Sequence, residues 1–424
     1  MPEQRFDLAV VGAGLAGLCA ALFAARKGAK VLVAGPNSSL QFASGFLDIL
    51  AVQPVEQGRV WDHPFEAMAA LVKDEPDHPY AKVGEDTVRR AMARLMEFLA
   101  LSGLEYRSAG DKNQWMPTPA GTVKPTWAVP ATMAAGAEAF RDRTPCVVAG
   151  IRGLKGFSAR QVTENLAPRW PGISHVQAEF PGTAGQSEVF AERIARQLEG
   201  EAWRADFARA LSPLVQGADC VALPAVLGMN RPGEVAEDLS ARLAVPLFEI
   251  PTIPPAVPGV RLREAFLQGL SRMGVQTLFK ARILPATLDP KQDPVLVAEA
   301  GDGPVEIHTK AVVLATGRFL GRGLLAGRKS ITETVFGLPV TQPERRDQWH
   351  RIDFLDRAGH PVNRAGLETD ELLRPLGPGG RPAHPRLFAC GTILAHQDWV
   401  RQKCGAGLSA STALHAVRSA LDAA

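Results

Sequence analysis

Phe6-Asp7-Leu8-Ala9-Val10-Val11-Gly12-Ala13-Gly14-Leu15-Ala16-Gly17 (FDLAVVGAGLAG) is an apolar run that ends directly on a G-x-G-x-x-G loop. A small-residue helix pattern follows from Leu15 to Arg26, then a second apolar run from Lys30 to Val33. This order reads as strand, turn, helix, strand. So short a connection closes as a right-handed parallel crossover, which places the turn at the carboxyl edge of the sheet, where ligands bind in such folds. Each glycine has a mechanical reason: Gly12 permits the tight turn, Gly14 lets the backbone approach a phosphate, and Gly17 allows close helix–sheet packing. The helix N-terminus adds unpaired N–H groups and a positive partial charge of about half a unit.

A dinucleotide site of this type places an acidic residue at the end of the second strand, where it holds the adenosine ribose hydroxyls. Here that strand ends Val33-Ala34-Gly35-Pro36, with no carboxylate. The expected ligand therefore ends in a single phosphate, as FMN does, in preference to FAD or NAD.

Working outward, Ala311–Gly317 (AVVLATG) puts another apolar strand before a small turn, with Thr316 and Gly317 as candidate cofactor contacts. Leu387–Thr392 (LFACGT) repeats the arrangement, with Gly391 and Thr392 beside a ribityl chain. Lys403–Gly407 (KCGAG) starts the last helix, and Gly405 and Gly407 are expected to aim its N-terminus at the flavin pyrimidine ring. Cys390 and Cys404 are read as packing residues.

At 424 residues the chain has room for two domains. The expected fold is α/β: a Rossmann-like, FAD/NAD(P)-binding two-domain flavoprotein with an inserted capping or substrate domain. Residues 1–60 and 260–424 are assigned to a discontinuous flavin-binding domain and residues 61–259 to the insertion. Within the insertion, Asp74–Tyr80 (DEPDHPY) and Gln114–Pro130 (QWMPTPAGTVKPTWAVP) read as irregular chain, Thr144–Gly156 as a strand entering a glycine loop, and Asp219–Leu223 as a buried strand. An amphipathic helix is expected over Arg261–Met273.

The net charge of +3 comes from 47 basic and 44 acidic residues mixed along the chain, so no basic stripe points to nucleic acid. The five cysteines lack C-x-x-C spacing, and no metal site is expected. The N-terminus lacks a secretory pattern, and no apolar stretch is long enough for a transmembrane helix, so a cytoplasmic location is expected.

Together with Ser44–Asp48 (SGFLD), His78-Pro79-Tyr80, Gly150–Phe157 (GIRGLKGF) and Pro251–Leu262 (PTIPPAVPGVRL), these motifs resemble the B subunits of anaerobic glycerol-3-phosphate dehydrogenase along nearly the whole chain. The chain also resembles, more distantly, the fumarate reductase flavoprotein class. The resemblance implies a non-covalent FMN, with Ser44 and Gly45 among its contacts. It also implies an FAD-containing A subunit, an iron–sulfur membrane-anchoring C subunit, and peripheral attachment through these partners to the inner face of the cytoplasmic membrane. The implied reaction oxidises sn-glycerol 3-phosphate to dihydroxyacetone phosphate and passes electrons to quinone, with fumarate or nitrate as terminal acceptor.

Such an oxidation needs a base and a phosphate clamp. The candidates are His78 as base, Lys124 and Arg261 in proline-flanked segments, and Arg152 and Lys155 in a glycine loop. An electron-relay role that never touches substrate is the alternative.

Overall fold

Seven strands form the sheet that carries the glycine loop: β1 (Arg5–Val11), β2 (Val31–Ala34), β3 (Gln276–Leu278), β4 (Arg282–Ile283), β5 (Val295–Ala300), β6 (Gly303–Leu314) and β7 (Leu387–Ala389). The side chains of β1 are buried on both faces from Leu8 to Val11, as befits a central parallel strand. It pairs in parallel with β2 on one side and β6 on the other, with Val11 in register with both Ala34 and Leu314. Beyond β2 lies β3, also parallel. The long β6 changes partner along its length: Val312–Leu314 pairs in parallel with β7, whereas Gly303–His308 pairs antiparallel with β5, which in turn pairs with β4. Because β1, β2, β6 and β7 run the same way, the turns that follow them emerge at one edge of the sheet.

Helix α1 (Leu15–Ala25) is apolar all round, and Ala16–Ala24 are buried throughout. A helix without a polar face must be covered on every side. It packs against the sheet and against α3 (Gly405–Asp422), itself buried along most of its length. The short helix α2 (Pro79–Val83) lies between them in sequence.

Residues 5–36, 39–301 and 303–423 are described by the structure, a computed structural model. The chain forms two compact units: Met1–Ser39, Asp48–Glu97 and Phe266–Ala424 make the first, and Leu40–Leu47 with Phe98–Ala265 the second. These boundaries differ from the expected 61–259 insertion, because residues 61–97 belong with the first unit. Tyr80 Oη donates to Ile49 O at 2.6 Å and to Cys404 O at 3.4 Å, and Arg364 makes a two-pronged ion pair with Glu75. At the other end, residues 260–265 belong to the second unit.

The second unit has its own four-stranded parallel sheet, in the order Leu247–Ile250, Cys220–Pro224, Cys146–Ile151, Ile173–Ala178. Trp170, fully buried, stacks on Phe248 with centroids 6.5 Å apart and meets Phe140 edge-on, while its Nε1 donates to Thr144 O. The proline-rich stretch 114–130 is not irregular. Gln114–Pro117 pairs antiparallel with Val123–Thr126, and Ala128–Pro130 with Tyr106–Ser108. Two-stranded ladders tolerate proline because each strand has an open edge.

Candidate functional site

Gly12 has φ +113°, and a Cβ there would overlap the Ala315 carbonyl. Gly17 is equally closed, since a Cβ would overlap the Gly12 carbonyl. It holds the first turn of α1 against the loop itself. Gly14 differs: its φ of −80° suits any residue, and a Cβ there would meet only Ser39 Oγ, at 3.4 Å. Among the described residues, no acceptor meets the backbone N–H groups of Ala13–Gly17. The first turn of α1 carries no acidic residue and no side-chain cap. Orphan donors at the positive end of a helix make an anion site, here approached over the bare face of Gly14.

No side chain competes for this space from the end of β2. Gly35 has φ +134°, and a Cβ would press on Gly12 Cα at 3.1 Å. The polar group nearest Gly14 is instead the hydroxyl of Ser39, which no sequence pattern singles out because only the return of the chain after Gly35 brings it there.

The second and third turns close on the first. A Cβ at Gly12 would lie 2.9 Å from Thr316 N, and one at Gly317 would lie 3.4 Å from Thr392 Oγ1. Gly391, at φ +77°, abuts Ala16 of α1 so closely that a Cβ would overlap it, and its N–H donates to Thr412 Oγ1 of α3 at 2.9 Å. Gly12, Thr316, Gly317, Gly391 and Thr392 are thus brought together at one sheet edge. Thr316 Oγ1 is buried without a hydrogen-bond partner among the described residues. Gly321 and Gly323, which sequence reasoning passed over, wrap this turn so tightly that a Cβ on either would overlap a carbonyl of Thr316 or Gly317. The spacing GRFLGRG after the Thr-Gly turn is the signal for them.

At α3 the glycines serve packing. A Cβ at Gly407 would lie 2.5 Å from Tyr80 Oη, and one at Gly405 would lie 3.0 Å from the Trp399 ring. The N–H of Gly407 already donates to Asp48 O at 2.7 Å. These contacts explain both glycines without a ligand. Cys390 and Cys404 are fully buried, and burial pushes both thiols up, so they stay protonated.

The expected catalytic residues occupy other positions. His78 is completely buried at the N-cap of α2: Nδ1 accepts from Tyr80 N at 3.1 Å, so Nε2 carries the proton and faces Gln402 Oε1 at 3.3 Å. Burial lowers its pKa to about 3, with Gln402 acting in the opposite sense. Both ring nitrogens are engaged in holding helices together, which corrects the expectation of a base. Arg261, on the helix Val257–Arg272 in the part that belongs to the second unit, is equally committed. Its Nη1 and Nη2 donate to the two oxygens of Glu249 at 2.6 and 2.8 Å, and Nε donates to Gly228 O at 2.8 Å. Glu249 also accepts from Thr132 Oγ1 and Leu227 N. Three of its five N–H donors are engaged and the side chain is buried, so Arg261 is part of a buried structural pair.

Lys124 lies in the strand Val123–Thr126 with its ammonium 5.6 Å from the centroid of the Phe46 ring. Ser44 and Gly45 are in the second unit: Ser44 Oγ accepts from Phe46 N, and Gly45, at φ +86°, packs on Pro258 and Pro130. Lys155 pairs with Glu188 at the surface, and Arg152 is exposed.

A family model described as "FAD binding domain" matches residues 7–408. The chain is 31% identical to the B subunit of anaerobic glycerol-3-phosphate dehydrogenase from Vibrio vulnificus, covering 98% of this chain and 96% of that one. It is also 31% identical to the corresponding B subunit from Pectobacterium atrosepticum, covering 99% of both. A probable B subunit from Halobacterium salinarum is 32% identical over 98% of each chain. Among the described residues, no helix is long and apolar enough to cross a membrane.

Two outcomes follow from the buried groups. Glu249→Gln leaves the Arg261 charge uncompensated and should destabilise the protein by about 3–5 kcal/mol, read as a drop in the urea midpoint. For His78, the folded pKa near 3 lies below the ordinary 6.5. Below pH 6.5 the unfolded chain therefore takes up a proton that the folded chain refuses, and stability falls as pH drops from 6.5 toward 3. His78→Asn, which keeps a capping acceptor, should flatten that part of a plot of melting temperature against pH; a slope equal to the parent's would contradict the assignment.

Proposed function

This chain belongs to the FAD-binding-domain family and, within it, to the B-subunit family of anaerobic glycerol-3-phosphate dehydrogenase, and we propose that it is the FMN-carrying member of such a complex. The observation that carries the reading is the anion site at α1, built of orphan N–H groups behind the bare face of Gly14 and lacking a carboxylate at the end of β2. A flavin nucleotide fits it. The N-terminus of α1 would hold its terminal phosphate, with the hydroxyl of Ser39 as a further donor. The turns at Thr316–Gly317 and Gly391–Thr392 would hold the ribityl chain, through Thr316 Oγ1 and Thr392 Oγ1. The missing ribose anchor favours FMN over FAD.

The complex oxidises sn-glycerol 3-phosphate to dihydroxyacetone phosphate and delivers electrons to quinone, with fumarate or nitrate as the final acceptor. An FAD-containing A subunit and an iron–sulfur C subunit complete it, and through them it sits on the inner face of the cytoplasmic membrane. The bound flavin supplies the electron acceptor. The protein's own residues position it and keep its phosphate out of water.

A second reading has specific support: the chain relays electrons from the A subunit without meeting substrate. His78 and Arg261, the expected base and clamp, are both spent on structure. Mixing the flavin-loaded chain rapidly with glycerol 3-phosphate separates the two. Bleaching of the oxidised-flavin band by the isolated chain means direct oxidation, whereas bleaching only when the A subunit is added means relay.

Acid extraction followed by chromatography should release FMN without adenine; one adenine per flavin would defeat the FMN assignment. Gly14→Ala should fold but lose most of its flavin, because its backbone accepts alanine while the methyl group enters the phosphate space. Gly17→Ala should fail to fold, because its methyl group would occupy the Gly12 carbonyl. Absorbance of the purified variants and their circular dichroism test both.

A further inference from the structure

Arg318 follows the Ala315–Gly317 turn directly, yet its guanidinium turns inward. Its Nη1 is buried, and no hydrogen bond or ion pair satisfies it among the described residues. Burial draws its pKa below the ordinary guanidinium value, and Asp398 opposes this only through space. Asp398 is itself occupied, accepting from Asn363 Nδ2 at 3.0 Å and from Arg401 N at 3.1 Å. Thr316 Oγ1, two residues earlier, is orphaned as well. A guanidinium cannot shed its proton, so a buried one without an acceptor is costly unless another group completes it in the working protein.

Its place in the fold says which group. The turn it follows touches the Gly12 loop and stands beside Thr392, and Arg318 is close enough to Cys404, at the head of α3, to influence it. Asp398 and Cys404, both in the segment that leads into α3, are the groups that act on it through space. A substrate phosphate suits it poorly. A dianion wants several donors, and the same neighbourhood holds Asp48, Glu75 and Asp398. A single delocalised negative charge matches one guanidinium.

We propose that Arg318 is the cationic partner of the N1–C2 oxygen edge of the flavin ring, balancing the charge that gathers there on two-electron reduction, with the Thr316 hydroxyl beside it. This rests on the flavin reading above. Fixed charge at a developing anion in a buried site stabilises it without reorganisation. Arg318 thereby raises the flavin's reduction potential.

Sulfite tests this without turnover. Its sulfur lone pair forms a bond to flavin N5, and the displaced electron pair settles on the N1–C2 edge, so its dissociation constant reads charge stabilisation there. The flavin-loaded full chain is compared with R318K, R318Q and R318M. The two neutral variants should bind sulfite at least about tenfold more weakly, with the two-electron midpoint lower by about 30 mV per tenfold. R318K should keep most of the affinity. Unchanged sulfite affinity in R318Q and R318M at full flavin occupancy overturns the proposal, as does R318K as weak as R318M. So does a raised KM for glycerol 3-phosphate in the assembled complex with sulfite affinity intact, which would give Arg318 to the substrate. If the neutral variants shed flavin, retention by R318K supports the charge contact and loss by R318K overturns it. A parent chain that neither carries nor takes up flavin overturns the flavin reading itself, and this assignment with it.

Discussion

The contact between the Gly12 backbone and the Ala315 carbonyl is the constraint on which the first unit is built. It brings the turn after β1 against the turn after β6 with no side chain between them. Gly17 then brings α1 down onto the Gly12 carbonyl, and Gly391 brings the turn after β7 against Ala16 of that helix. Three chain segments far apart in sequence therefore meet at positions where only glycine fits. The N-terminus of α1 is left without a side-chain cap. A methyl group at Gly12 or Gly17 would separate these layers, whereas one at Gly14 would meet only Ser39 Oγ, at 3.4 Å.

Burial decides the roles of charged and titratable groups throughout the chain. His78 stays neutral because desolvation outweighs its hydrogen bond to Gln402. Arg261 and Glu249 share two hydrogen bonds, and Leu227 N and Gly228 O bind the pair further. Breaking such a pair costs more than its net contribution to stability, since it leaves one buried charge alone. Arg318 differs: among the described residues its buried Nη1 has no hydrogen-bond partner.

Much of the first unit is legible in the amino-acid string. The strand, turn and helix from Phe6 to Arg26 show in apolar periodicity and glycine spacing, and the later turns at Thr316–Gly317 and Gly391–Thr392 share the same signature of an apolar strand ending on small residues. The stretch 114–130 reads as irregular because prolines 117, 125 and 130 argue against strands, while an isolated pair with open edges accommodates them. The domain boundary is misplaced for a different reason: Tyr80 and Glu75 tie residues 61–97 to Cys404 and Arg364, some three hundred residues on, and such contacts leave no local signal.

By itself the sequence determined the parallel α/β core, the glycine turns at its strand ends and the lack of a carboxylate after β2. These depend on backbone sterics and residue spacing, which act locally. The tertiary structure alone decided which polar side chains are free to act. His78 meets Gln402 across 324 positions, Arg261 finds its carboxylate on a strand of a parallel sheet, and Arg318 Nη1 finds no partner among the described residues. Desolvation and partner choice are properties of packing, and a histidine or arginine carries the same letter whether it caps a helix, closes an ion pair or waits for a ligand.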